Sequence, residues 1–374
     1  MKVAGVMSGT SLDGIDVAIV EIEGRKIEPI AFQSAPYPKA VRTALLAVSN
    51  AAAHTAEISR LNFLLGELYA EAVIETRRRA GLRLDSVGLI GLHGQTIFHE
   101  GAAVDYLGRR IASTLQIGEA AVVAERTGIR VISNFRERDI AAGGRGAPLV
   151  PLVDYLLFRS RNICRVALNI GGIANITVLK PGARPAEVIA YDTGPGNMAI
   201  DALVRRMTGG RESCDRGGRI AQSGKVDGEL LEKMRQHPYF KLKPPKTAGR
   251  EQFGQAFVDG LIATGRPLPD LTATATELTA WSIARAILDS TFDSNVETIV
   301  SGGGIHNRWL MQRLRHYLYP GKVRSAAELG VDPDAKEAIA FAVLAYQTFR
   351  KKPGNLPSAT GARRAVLLGK STLP

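Results

Sequence analysis

Short apolar runs separated by glycine-rich polar turns recur in both halves of this chain. Near the N-terminus, the largely apolar residues 3–7 and 15–20 lie on either side of the turn 8–14. In the middle of the chain, residues 166–170 and 176–179 flank a second turn in the same way. A strand, a short glycine-rich turn and a returning strand are typical of a β-hairpin. The pattern therefore predicts two halves of related plan, each beginning with a hairpin.

Helical and extended patterns alternate after each hairpin. Apolar residues recur at helical spacing over 58–68, and Gly81 follows as a helix terminator. Residues 336–349 form another apolar helical pattern, which we expect to return to the first domain. Short buried strands are predicted at 87–92 and 297–300. Strands that alternate with helices place the chain in the α/β class.

Composition and charge narrow the classes of partner. The chain has 374 residues, 45% of them hydrophobic, and no apolar run reaches the about 18 residues that a membrane span needs. The formal net charge is +12, but the basic residues are scattered and have no aromatic residues between them. That distribution favours the attraction of small anions over the binding of nucleic acid. We therefore expect neither a nucleic-acid partner nor a membrane partner.

The N-terminus and the cysteines indicate a cytoplasmic location. A strand pattern begins at residue 3, so we expect no signal peptide. Cys164 and Cys214 are too few for a disulfide framework, and we expect both as free thiols in a reducing cytoplasm.

Only the proline- and glycine-containing stretch after Lys351 has the composition of a disordered tail.

The glycine turns offer backbone N–H groups and hydroxyls to an anion. The turn 8–14 matches neither a Walker A loop nor a dinucleotide fingerprint, and by itself it predicts either a tight hairpin or a phosphate loop. The second glycine turn and the triple glycine at 302–304 favour phosphate binding. Asp13 and Asp16 offer carboxylate oxygens that suit Mg2+.

Polar residues after the predicted strands are candidates for chemistry. Asp192 precedes a Gly-Pro-Gly turn and a helix, so it either reacts with a ligand at the strand end or caps the helix. His93 either bonds a polar ligand or lies in the core, and with His99 it lacks the further ligands of a zinc site. Glu337 begins a helix, where it either complements the helix dipole or reaches a ligand.

A series of sequence blocks resembles the anhydro-N-acetylmuramic acid kinase family. The two most specific are Met-Ser-Gly-Thr-Ser-Leu-Asp-Gly-Ile-Asp at 7–16 and Asp-Thr-Gly-Pro-Gly-Asn at 192–197. The others are 92–96, 115–119, 134–136 with 143–148, 169–175, 249–251, 301–304 with 307, and 334–338. Agreement in order over residues 3–345 makes a chance match remote.

The resemblance implies an actin-like fold, as in sugar kinases and heat-shock ATPases, with two ribonuclease-H-like lobes around a nucleotide cleft. We place the first lobe at 1–138, with the C-terminal helix region 340–374 returning to it, and the second at 139–339. The implied reaction converts ATP, water and 1,6-anhydro-N-acetylmuramic acid into N-acetylmuramic acid 6-phosphate and ADP. It serves peptidoglycan recycling in the bacterial cytoplasm, and the enzyme is a phosphotransferase with an alcohol group as acceptor.

The resemblance also implies roles for individual residues. Asp192 becomes the catalytic base. The expected substrate contacts are His93, Gln95, Asn134, Arg136, Thr193, Asn197 and Glu337. The expected ATP contacts are Gly9, Thr10, Ser11, Leu12, Asp13, Gly14, Ile15, Asp16, Gly171, Gly172, Asn175, Gly302, Gly303 and Gly304. Asp13 and Asp16 remain the candidates for Mg2+.

A non-catalytic actin-like sugar sensor or a chaperone-type ATPase is the alternative. A sensor usually carries an N-terminal helix-turn-helix, whereas here a strand pattern begins at residue 3. A chaperone needs a long appended domain, for which 374 residues leave no room. These features favour the kinase, and they leave a homodimer open.

Overall fold

The chain forms two compact units in a computed structural model, which describes residues 1–9, 12–291 and 295–374. The first unit comprises Met1–Leu157 with Ala335–Pro374, and the second comprises Phe158–Asp334. None of the described helices is both long enough and apolar enough to span a membrane.

The described residues form twelve strands and fourteen α-helices, joined by turns and short 3-10 helices. The strands are β1 (Lys2–Ser8), β2 (Gly14–Glu23), β3 (Lys26–Pro36), β4 (Val87–Tyr106), β5 (Arg109–Ile117), β6 (Val131–Ser133), β7 (Arg165–Ile170), β8 (Ile173–Leu179), β9 (Ile189–Pro195), β10 (Glu297–Ser301), β11 (Lys322–Ser325) and β12 (Lys370–Thr372). The helices are α1 (Lys39–Val48), α2 (Thr55–Arg79), α3 (Ala120–Thr127), α4 (Phe135–Ala141), α5 (Pro151–Phe158), α6 (Met198–Thr208), α7 (Arg219–Ser223), α8 (Gly228–Arg235), α9 (Arg250–Phe253), α10 (Gln255–Ile262), α11 (Leu268–Thr291), α12 (Arg308–Leu318), α13 (Lys336–Phe349) and α14 (Pro357–Thr360).

The two sheets share one plan. In the first unit, β1, β2 and β3 form an antiparallel meander, and β4 and β6 continue the sheet parallel to β1 on its other side. In the second unit, β7, β8 and β9 form the meander, and β10 and β11 continue parallel to β7. Both predicted hairpins are confirmed, as are the α/β class and the repeated plan of two ribonuclease-H-like lobes.

Helix α13 covers the first sheet, as its apolar pattern predicted. Two strand glycines allow the contact, because a Cβ at Gly5 would overlap the carbonyl of Ala338 and one at Gly91 would overlap that of Phe341. Helix α13 itself is buried from Ala338 to Ala345. The close approach of helix to strand explains why small residues interrupt these two central strands.

The first unit extends further along the chain than the sequence suggested. Residues 139–157, which we expected in the second lobe, belong to the first unit, and so do residues 335–339. Buried polar contacts hold both segments there: Lys336 Nζ lies 3.0 Å from Asp154 Oδ1, and Asp139 binds the C-terminal segment. The sequence pattern contains no sign of these long-range pairs.

The segment after Lys351 is ordered, which corrects the expectation of a disordered tail. Strand β12 pairs antiparallel with β6 at the edge of the first sheet. Asn355 is buried, and its side chain donates to Asp139 Oδ1 at 2.6 Å. Strand pairing and a buried hydrogen bond hold this segment in place, although its composition alone suggests disorder.

Candidate active site

Strand β9 carries Asp192 in its interior. We expected this strand to end at residue 191, but it continues to Pro195, and Asp192 lies opposite Asn175 of β8. Asn175 in turn lies opposite Asn169 of β7. Directly opposed residues of antiparallel strands point to the same face of the sheet. The three side chains therefore form a polar row across the second sheet.

The carboxylate of Asp192 is held at one oxygen. Its Oδ2 accepts a hydrogen bond from the Ala248 N–H at 2.8 Å, and Oδ1 accepts none from any described residue. The Asp192 backbone N–H donates to the Lys246 carbonyl at 3.1 Å, and its carbonyl accepts from the Tyr239 hydroxyl at 2.5 Å. Asp192 does not cap α6, so this alternative from the sequence is wrong.

Burial raises the pKa of Asp192 to about 6, with Glu251 adding to the rise and the Ala248 N–H opposing it. A carboxylate with a pKa near the working pH can take up a proton and release it again, as a general base must. Asp192 thus combines a fixed orientation, a free oxygen and a suitable proton affinity.

The carbonyl groups of the glycine turn 171–172 accept hydrogen bonds from the start of α6. The carbonyl of Gly171 accepts from the Asn197 N–H at 2.8 Å, and that of Gly172 accepts from Gly196 and Met198 at 2.9 and 3.1 Å. A Cβ at Gly196 would overlap the Gly171 carbonyl, so only glycine fits there. The turn of the second hairpin therefore packs directly against the segment 192–197.

The triple glycine follows β10 and meets the same row. Gly302 has φ 80°, and a Cβ there would lie 2.7 Å from Asn169 Oδ1. Gly303 faces open space, and Asn307 caps α12 by accepting from the Leu310 N–H at 2.9 Å. Glycine is required at 302 by its positive φ and by this contact.

Beyond the triple glycine lies a cavity of about 500 Å³, which we call the basic basin. Its lining residues are Arg216, Gly217, Arg219, Gln222, His306, Arg308, Trp309 and Gln312. Three guanidinium groups and an indole surround this space, and its described lining includes no carboxylate. The Trp309 Nε1 is buried and donates to no described residue. His306 pairs with Asp334 at 3.0 Å.

In the first unit, β4 brings His93 and Gln95 together with the first turn. We expected a strand end at residue 92, but β4 continues to Tyr106. The Gln95 amide nitrogen donates to the Gly9 carbonyl at 3.1 Å, and the buried Gln95 Oε1 has no partner among the described residues. The unsatisfied oxygen is available to a ligand that donates a hydrogen bond.

His93 is a buried neutral imidazole that holds Arg136. Its Nε2 accepts from Arg136 Nε at 3.1 Å, which leaves Nδ1 to donate to the Gly94 carbonyl at 2.7 Å. Burial and then Arg136 hold the pKa of His93 well below its ordinary value. The ring also packs on Phe341, with ring centroids 4.5 Å apart.

Glu337 and Asp13 lie in different electrostatic surroundings. Burial raises the pKa of Glu337, which Lys336 and Arg136 oppose and Asp16 increases. Asp13 is 76% exposed at its side chain, and its Oδ1 lies 3.7 Å from Arg42 Nη2. The described residues include no group of three or more metal-ligating side chains placed to share an ion.

Other predicted site residues are buried or hydrogen-bonded within the protein. Leu12 and Ile15 are buried, so their side chains anchor the first turn. Thr193 is buried and donates to the Ala174 carbonyl at 3.2 Å. Asn134, with φ 58°, donates to Glu137 at the start of α4. Thr10 and Ser11 lie outside the described residues.

Sequence reasoning missed Asn169 and the basic basin. Asn169 was detectable, because it is a polar residue in an apolar strand immediately before a glycine turn. The basin residues come from segments about 85 positions apart in the chain. No local pattern joins them.

Comparisons identify close relatives of the chain. A family model described as anhydro-N-acetylmuramic acid kinase matches residues 1–374. A protein of that name from Caldanaerobacter subterraneus subsp. tengcongensis is 45% identical over 382 residues, covering 99% of this chain and 96% of its own length. Another from Gloeobacter violaceus is 45% identical over 372 residues, covering 98% and 97%. A solved ROK family glucokinase from Streptomyces griseus, in complex with glucose and AMPPNP, has a TM-score of 0.38 at 14% identity, covering 93% and 100%.

Proposed function

This chain belongs to the anhydro-N-acetylmuramic acid kinase family, and we propose that it opens the 1,6-anhydro ring of its substrate with water while phosphorylating O6. The products are N-acetylmuramic acid 6-phosphate and ADP, and the reaction serves peptidoglycan recycling in the cytoplasm. The observation that carries the proposal is the Asp192 carboxylate, with one oxygen anchored, the other free and a pKa of about 6.

The anhydro bridge determines what chemistry the site must perform. The bridge joins C1 to O6, so O6 carries no proton and is not a nucleophile until the bridge opens. Asp192 Oδ1 takes a proton from a water molecule as the water oxygen bonds to C1. The C1–O6 bond breaks, O6 attacks the γ-phosphorus of ATP, and the bond from that phosphorus to the β,γ-bridging oxygen breaks to release ADP. The second water proton remains on the new C1 hydroxyl.

In the first unit, Gln95, Asn134 and Arg136 are the polar groups that we assign to the sugar, with His93 behind Arg136. Glu337, which we expected as a substrate contact, is assigned to the metal ion instead. The Gln95 Oε1 supports this assignment, because a buried amide oxygen without a partner is costly unless a ligand donates to it. In the second unit, Asn175 lies opposite Asp192 and Asn169 lies next in the same row, and neither amide bonds a described residue.

We assign the nucleotide phosphates to the three glycine turns and the nucleoside to the basic basin. Gly302 and Gly303 lead from the polar row toward His306, which lines the basin. Guanidinium groups stack on aromatic planes and neutralise phosphate charge. A cavity of about 500 Å³ has room for a nucleoside.

Arg308→Ala is expected to raise the KM for ATP about tenfold, the cost of one lost cation contact of about 1.4 kcal/mol. The kcat should change little, because Arg308 lines the basin and Asp192 does not. Arg315→Ala is the matched control, since Arg315 is an exposed arginine of the same helix outside the basin. Steady-state kinetics with varied ATP measure both. An equal rise in the two variants would remove the nucleoside from the basin.

Mg2+ is the metal that the family's use of ATP implies. Asp16 and Glu337 fit it, because their carboxylates are hard oxygen donors and lie close enough for Asp16 to raise the pKa of Glu337. Asp13 fits less well, because its exposed carboxylate faces Arg42. We propose that Asp16 and Glu337 hold the ion. Bound there, Mg2+ would neutralise phosphate charge.

Labelled water tests ring opening directly. A reaction in 18O-water is expected to put the label on C1 of the product and none on the phosphate, as mass spectrometry of the two fragments would measure. The C1 centre should first appear as the anomer formed by attack opposite the O6 bridge. Label on the phosphate would mean hydrolysis of ATP. An unlabelled C1, read before the anomers exchange, would exclude attack by water. ADP release without the sugar would favour the chaperone-type ATPase.

A further inference from the structure

Arg136 is an enclosed cation without an anionic partner. It takes part in no ion pair with a described residue, whereas two other partly enclosed arginines pair closely: Arg165 lies 2.6 Å from Glu297 and Arg313 lies 2.7 Å from Glu277. Burial lowers the pKa of Arg136, although Glu337, Glu137 and Asp139 act on it from longer range. An enclosed charge without a close counter-charge is costly, and it indicates an anionic ligand.

The guanidinium keeps Nη2 without a partner among the described residues. Arg136 Nε donates to His93 Nε2 at 3.1 Å, and Nη1 donates to the Gly146 carbonyl at 2.8 Å. Both acceptors are neutral, so neither cancels the charge. Nη2 donates to no described residue. Two donors are therefore used to fix the plane of the group, and the Nη2 donors remain for a carboxylate.

We propose that Arg136 binds the lactyl carboxylate of the muramic substrate and that His93 positions it. This inference rests on the proposed function, because the lactyl ether at C3 distinguishes a muramic sugar from the corresponding glucosamine. A carboxylate bound to Arg136 receives charge-assisted hydrogen bonds from a guanidinium that is already oriented. Arg136 is therefore a specificity-determining residue, and it has no part in the proton transfer.

His93 suits the positioning role because it stays neutral. Its burial, its Nδ1–H bond to the Gly94 carbonyl and its packing on Phe341 fix the ring with Nε2 as an acceptor. A carboxylate at this position would orient Arg136 equally well, but it would also neutralise the guanidinium. His99, whose pKa burial and Arg136 lower, is the other imidazole that feels this charge.

The test compares two sugars that differ in the lactyl group. We would measure binding by calorimetry, together with turnover, for 1,6-anhydro-N-acetylmuramic acid and for 1,6-anhydro-N-acetylglucosamine. Arg136→Gln is expected to weaken binding of the muramic sugar about 100-fold, the scale of a lost charge-assisted pair. Binding of the neutral sugar should change less than about threefold, because Arg136 contacts only the carboxylate.

Four further variants separate recognition from folding. Arg136→Lys should restore part of the preference for the muramic sugar, because it keeps the charge without the planar fork. His93→Gln should keep the preference better than His93→Leu, because glutamine retains a neutral acceptor. Arg138→Gln changes an exposed arginine of the same helix and should alter neither affinity.

Equal losses for both sugars in Arg136→Gln would overturn the proposal and leave Arg136 a structural residue. Equal binding of both sugars by the unsubstituted protein would also overturn it. A protein that binds the muramic sugar preferentially through Arg136 but does not phosphorylate it would contradict the proposed function and leave the inference standing.

Discussion

Asp192→Asn is expected to fold normally and to lose a factor of about 10²–10⁴ in kcat, the usual contribution of a general base. Asparagine keeps the size of the side chain and an oxygen that can accept from the Ala248 N–H, so the local structure should persist. ATP binding should be nearly unchanged, because the amide alters no glycine turn. Single-turnover phosphorylation, nucleotide affinity and circular dichroism measure the three effects.

A control variant tests the assignment of the base. Asp259→Asn removes an exposed carboxylate of the second unit and should keep full activity. Near-normal turnover in Asp192→Asn would mean that the base lies elsewhere, with Glu337 as the next candidate.

The pH profile gives an independent measure of the same group. Because Asp192 must be deprotonated to accept the proton, kcat/KM should fall as the pH drops through about 6, the pKa of this carboxyl in the free protein. Glu251→Gln removes the negative charge that helps to raise this pKa, so its acidic limb should move to lower pH. An acidic limb that stays in place in that variant would mean that another group titrates.

Asp139→Ala is expected to destabilise the first unit by about 3 kcal/mol or more. The buried Asp139 carboxylate accepts from the Gly146 N–H at 2.8 Å, the Asn355 amide at 2.6 Å and the Thr360 hydroxyl at 2.8 Å. Alanine would leave three buried donors without an acceptor, each costing about 1–3 kcal/mol less what relaxation recovers. Urea denaturation followed through a reporter in the first unit would measure the free energy of unfolding.

Asp85→Ala is the matched control, because the Asp85 side chain is 71% exposed and pairs with Arg83 at the surface. Its effect should stay within about 0.5 kcal/mol. Asp139→Asn should fall between the two, since it preserves volume but turns an amide donor toward other donors. A loss of less than about 1 kcal/mol in Asp139→Ala would show that the C-terminal segment is held by other contacts.

Hydrophobic pattern predicted the elements that bury one continuous face. Helix α13 begins at Lys336 and ends at Phe349, as its pattern predicted, because its apolar residues pack on a sheet. The sequence predicted the two hairpins equally well, because a glycine turn between apolar runs has few other conformations. Strand ends were less legible: β4 and β9 run past the predicted ends into polar residues, since sheet pairing with β5 and β8 satisfies their backbone.

The sequence by itself determined the α/β class, the repeated plan, the family and the identity of Asp192 as a candidate base, because each depends on local patterns or contiguous blocks. Only the tertiary structure decided which groups meet. The pairing of Asn169, Asn175 and Asp192 depends on sheet register, and the contact of Arg136 with His93 joins residues 43 positions apart. The pKa of Asp192 depends on burial by segments far along the chain. Such properties belong to the space around a side chain, which no stretch of neighbouring residues encodes.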